Sequence, residues 1–247
     1  MTTTFHWSES QSINLHPSLR ITYWLGGLTC MILIIYSLAT MYIMFILGPP
    51  PDTIEGYFIM LNENKFYGLL RLDLLTSFIM PLYFILFYSL YVALKKTNQE
   101  LVTISTLLVF IGITMVLSAP AVFSYLHLSE KYALATDDME KNQLIAAGEA
   151  ILAADTWHGT GSAVGAILSE TGIVLISIIM LKNNIFNKLT AYTGIVTHGL
   201  DLIHIFVGFF SYSIGSYIMI VAGPLYLLWF PLLGVRLFRL SRFCIKN

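Results

Sequence analysis

The chain has 247 residues, 57% of them hydrophobic and only 11% charged, and its mean hydropathy is +0.76. That balance excludes an ordinary water-soluble domain and predicts an all-α, polytopic membrane protein in a single membrane domain. A formal net charge of −1 without any basic low-complexity tract excludes nucleic acid as a partner. The two cysteines, Cys30 and Cys244, stand far apart and offer neither a disulfide framework nor a thiolate metal site.

Residues 1–21 contain His6, Glu9, His16 and Arg20, with no apolar core or small-residue cleavage site. They read as a cytoplasmic N-terminal segment, not as a cleavable signal peptide. Six apolar runs follow, at about 22–47, 67–94, 101–125, 160–182, 190–211 and 215–238. Each reaches the roughly 20 residues that a hydrocarbon core of about 30 Å requires. Pro49-Pro50-Pro51, Lys95-Lys96-Thr97-Asn98, Lys182-Asn183-Asn184 and the stretch from Ser211 to Ser216 punctuate them. The expected organisation is a six-span membrane domain over 22–240, an outer amphipathic segment at 126–158, and a basic tail at 241–247. Pro81, Pro120, Pro224 and Pro231 are expected to kink or end helices.

Six spans place Arg20, Lys95, Lys96, Lys182, Lys188, Arg236, Arg239, Arg242 and Lys246 on one side, and Lys65, Arg71, Lys131 and Lys141 on the other. The asymmetry predicts a plasma-membrane protein with both termini in the cytoplasm. Arg236, Arg239 and Arg242 share a helical edge suited to anionic headgroups. Within 126–158, Leu144, Ile145, Gly148, Ile151 and Leu152 recur at helical spacing, and Thr136 or Asp137 can cap the helix start. Such a helix lies on the outer surface, over the bundle or as a lid above a pocket.

The ionisable residues inside the apolar runs carry the functional signal. Glu170 and Asp201 fall near the middle of the fourth and fifth runs, where a carboxylate is costly and is usually retained for a purpose. His198, Asp201 and His204 are spaced three and three, so both histidines flank Asp201 on one helical stripe. Together with Glu170 they form a candidate ligand site or proton relay. The opposing reading has them bonded to Thr114, Ser118, Ser162 or Ser169 on neighbouring helices, specifying packing alone. His158, His198, Asp201 and His204 also include the ligand types of a zinc-dependent hydrolase, although His158 sits near the outer surface. A rhomboid-type protease is excluded, since its Gly-x-Ser reads Thr160-Gly161-Ser162 here and the sixth run has no histidine. Gly161, Gly165 and Ser169 mark a helix-packing edge of the G-x-x-x-G kind.

The stretch from Leu128 through Tyr132, Asp137-Asp138 and Gly148 to Ala153, followed by Gly159-Thr160-Gly161, resembles an uncharacterised prokaryotic family of six-helix integral membrane proteins. Lys95 after a long second helix and the ending Gly234 to Leu240 are similar to that family too. The resemblance runs from about Tyr67 onward. It implies the six-helix fold and no established activity, cofactor or catalytic residue. The resulting expectation is a multi-pass protein that binds or translocates a small molecule or ion through a polar intramembrane pocket. The alternatives are a non-catalytic component assembling with itself or a membrane partner through the Gly161 to Ser169 edge, and, less favoured, the zinc hydrolase.

Overall fold

The structure, a computed structural model, describes residues 17–119, 121–155 and 158–243. His6, Glu9, His16, Cys244 and Lys246, with the predicted kink at Pro120, lie outside them, as do most of the N-terminal segment and the end of the basic tail. After a short 3₁₀ turn at Pro17–Leu19 come α1 (Arg20–Leu47), α2 (Ile54–Glu63), α3 (Lys65–Arg71), α4 (Leu74–Ile79) and α5 (Leu82–Leu94). The chain continues through α6 (Gln99–Leu117), α7 (Val122–Leu134), α8 (Asp138–Leu152), α9 (Thr160–Met180), α10 (Lys188–Gly208) and α11 (Tyr212–Phe243). No strand occurs among the described residues.

Among the described residues four stretches are long and apolar enough to cross a membrane: α1, α9, Ser213–Phe243 within α11, and Gln99–Leu134, which takes in α6 and α7. The other two predicted runs differ from expectation. Residues 67–94 are not one helix. Asp73 adopts the left-handed conformation (φ 65°) and accepts a 2.5 Å hydrogen bond from the Thr76 hydroxyl, a turn that aspartate tolerates better than most residues. Arg71 donates to the Pro49 carbonyl and Tyr36 shares a hydrogen bond with Thr76, so α1 and the chain after it hold this break in place. Pro81 then begins a new helix, leaving only the thirteen residues of α5 as a continuous apolar piece. In α10 the length is present, but Thr, His and Asp residues dilute the run. Pro224 and Pro231 lie inside α11, which continues through both, and Gly215 belongs to that helix instead of the break before it.

The predicted third run, 101–125, stops early: α6 ends at Leu117 and α7 starts at Val122. The amphipathic segment is two helices, with Asp137 capping α8 by accepting from the Glu140 amide at 2.7 Å. A helix absent from the sequence reading, α2, packs here. Its Thr53 cap and its apolar residues Ile54, Tyr57, Phe58 and Leu61, at helical spacing, are the signal that was available. Leu144, Ile145, Ile151 and Leu152 of α8 pack against Ile54, Phe58, Leu61 and Tyr125. The apolar face of α8 is thus taken up by α2 and α7, with Gly148 letting it approach. A Cβ there would stand 2.4 Å from Ile54 Cγ2. Gly148→Val should therefore loosen α8, read as faster amide hydrogen exchange across 138–152 while exchange in α9 stays unchanged.

The main core runs between α1, α5, α6, α9, α10 and α11 around Leu33, Phe87, Val109, Ile173, Ile176, Trp229 and Leu233. Its tightest seam joins α6 to α9. A Cβ on Gly112 would lie 2.4 Å from the Gly165 carbonyl, one on Gly165 2.7 Å from the Gly112 carbonyl, and one on Gly172 2.5 Å from the Ser105 carbonyl. The packing edge of α9 is therefore Gly165, Ser169 and Gly172. Among the described residues a Cβ on Gly161 meets nothing within 4 Å, so this glycine makes no close approach to them. The Gly165 to Ser169 part of the edge is covered by α6 of the same chain.

Candidate functional site

α10 packs against both α9 and α11, and the loop before it sets its rotation. Asn183 Oδ1 accepts from the amides of Ile185 (2.8 Å) and Phe186 (3.1 Å), and Asn187 caps α10 by accepting from the Thr190 amide at 2.8 Å. Arg236 reaches across from α11 to donate to the Ile185 carbonyl, tying loop and helix together. With these three helices held in register, Glu170 of α9, His198 and Asp201 of α10, and Tyr226 and Trp229 of α11 come to one place.

His198 Nδ1 lies 2.6 Å from Glu170 Oε2. The Tyr226 hydroxyl donates to Asp201 Oδ2 and stands 3.5 Å from His198 Nδ1. One ligand atom each of Glu170, His198 and Asp201 lies within 4.8 Å of the others. The His198 ring meets Tyr226 (centroids 5.2 Å apart) and Trp229 (4.5 Å) edge to face, which fixes the imidazole plane. His198 is fully buried and Asp201 is 7% exposed, whereas the Glu170 side chain retains 16% of its surface.

Several buried polar atoms here have no hydrogen-bond partner: His198 Nε2, Asp201 Oδ1, Trp229 Nε1 and Ser177 Oγ. The last two converge on the bare backbone of Gly194, where a Cβ would stand 2.4 Å from Ser177 Oγ and 2.6 Å from Trp229 Nε1. Buried donors and acceptors are ordinarily satisfied, so a cluster of unsatisfied ones marks a place suited to a polar guest. Among the described residues neither Glu170 nor Asp201 forms an ion pair with a lysine or arginine; the ion-pair contact here is His198 with Glu170. Two carboxylates thus face each other without a fixed cationic side chain to balance them.

The residues singled out in the sequence divide accordingly. Glu170, His198 and Asp201 converge. His204 stands apart, its Nδ1 2.9 Å from the Gly215 carbonyl, because a further step of three residues along α10 turns it toward the start of α11. His158 lies on the loop before α9, with Nδ1 3.0 Å from Asp155 Oδ1 and its side chain 56% exposed, so it belongs to no common ligand sphere with α10. Thr114, Ser118, Ser162 and Ser169 do not reach the cluster; their hydroxyls donate to backbone carbonyls of Phe110, Met115, Gly159 and Ala166. The partners that sequence reasoning missed are Tyr226 and Trp229. Their three-residue spacing within the last apolar run was visible, but not the face they present.

Fold and site together define an all-α protein with four candidate membrane-spanning helices and a buried carboxylate–imidazole–phenol cluster. No protein-family model, curated protein or solved structure matches the chain.

Proposed function

We propose that this is a multi-pass membrane protein that binds or passes a small molecule or ion at Glu170, His198 and Asp201, with protons exchanged at the two carboxylates and His198 as relay. The carrying observation is that a buried acid and a partly buried one flank a single imidazole and that, among the described residues, neither is ion-paired to a lysine or arginine. Two acids packed together without such a partner make a place where a proton or a guest cation can be held. His204, within electrostatic reach of Asp201, extends the polar route along α10.

In this reading α10 and the α3 to α5 segment complete six passages, as in the uncharacterised family that the chain resembles, and both termini face the cytoplasm of the plasma membrane. The cavity of about 620 Å³ lined by Arg20, Arg239 and Arg242 at the start of α1 and the end of α11 supports that orientation. The test is infrared difference spectroscopy of the protein in lipid between acidic and alkaline buffer. A carboxylic acid C=O band that titrates in the wild type and is reduced in both Glu170→Gln and Asp201→Asn is expected. An identical spectrum in all three proteins overturns the proposal.

A further inference from the structure

We infer that Glu170, His198 and Asp201 form a site for one divalent transition-metal ion of the manganese-to-zinc series. This inference rests on the reading of the cluster as a functional site and names the class of ion that it takes.

Three features lead there. The first is size: each residue offers one ligand atom and the three atoms lie within 4.8 Å of one another. An ion with bonds of about 2.0–2.2 Å to nitrogen and oxygen holds its ligand atoms no more than about 4.4 Å apart, so small side-chain rotations bring all three onto it, displacing the hydrogen bond between His198 and Glu170. The second is charge: two carboxylates and a neutral imidazole balance a dication, and among the described residues no lysine or arginine is ion-paired to either acid. The third is an unused ligand atom: Asp201 Oδ1 has no partner although the residue is only 7% exposed, and the other oxygen is already oriented by the Tyr226 hydroxyl. A phenol that holds a carboxylate ligand in place is the usual outer support of a metal site.

The imidazole narrows the ion. Calcium requires six to eight oxygen ligands, and magnesium holds its waters tightly, whereas mixed imidazole and carboxylate ligands suit manganese, iron, cobalt and zinc. Trp229 and Tyr226 wall the imidazole side, and Glu170, the ligand with the most exposed side chain, is the one by which an ion enters or leaves.

The full chain, purified in detergent micelles and stripped with chelator, is incubated separately with Mn²⁺, Co²⁺ and Zn²⁺, desalted, and its metal content measured. One ion per chain is expected in the wild type, together with a visible Co²⁺ ligand-field spectrum. Glu170→Gln, His198→Gln and Asp201→Asn should abolish stoichiometric binding. Tyr226→Phe should weaken affinity by about tenfold or more, while His158→Gln and His204→Gln bind as the wild type does. If the ligand variants aggregate, the wild-type Co²⁺ spectrum and the Tyr226→Phe affinity decide. A wild type that retains no ion, or binding that survives both His198→Gln and Asp201→Asn, overturns the site. The infrared titration separates the two readings: no metal with a titrating acid band leaves a proton site, and no metal with no such band removes both.

Discussion

Leucine at Gly165 should break the α6–α9 seam, at a cost of about 3 kcal/mol or more in unfolding free energy. The expected size follows from what the new side chain meets. Its Cβ alone would lie 2.7 Å from the Gly112 carbonyl and 2.8 Å from Met115 Cβ, and the neighbouring obstacles are helix backbone, which cannot rotate aside. At Gly161, four residues earlier, a Cβ meets nothing within 4 Å among the described residues, and leucine there should change stability by no more than about 0.5 kcal/mol. Equilibrium unfolding in mixed micelles titrated with SDS measures both. Equal losses at the two positions would mean that α9 presents a different face to α6. Glu170 would then be turned away from α10, and the site with it.

The second large effect is on function. Asp201→Asn keeps the shape of the side chain and still offers an oxygen to the Tyr226 hydroxyl. Stability should therefore move by only about 1 kcal/mol. In proteoliposomes loaded with a pH-sensitive dye, an imposed potential should drive protons through the wild-type protein, and the Asp201→Asn rate should fall to that of empty vesicles. A residue kept for packing would give the reverse: equal rates in the two proteins, with any difference confined to unfolding. The comparison depends on the carboxylate being able to exchange a proton where an amide cannot.

Helix content and four of the six apolar runs were legible in the sequence, because hydrophobic periodicity and span length are properties of local chain segments. The cap at Asp137 belongs to the same class, since it needs only the amide of Glu140 three residues on. Longer-range features were not legible. Residues 67–94 read as one span because hydropathy does not register that Asp73 takes a left-handed turn supported by Thr76, or that Pro49 and Tyr36 hold the pieces in place.

The site shows the same division. Spacing of three along α10 placed His198, Asp201 and His204 on one stripe; His198 and Asp201 share the cluster and His204 does not. Only the rotation of α10 against α9 and α11 decided that Glu170 meets His198, that Tyr226 binds Asp201, and that His204 turns instead to Gly215. The rotation is imposed by contacts remote in sequence: glycine seating α9 on α6, Gly194 admitting Trp229, and Arg236 tying α11 to the loop before α10. The chain by itself determined an all-helical, membrane-suited protein with acids inside its apolar runs. Which side chains face one another was left to tertiary packing, because a helix fixes the angles among its own residues but not its rotation against its neighbours.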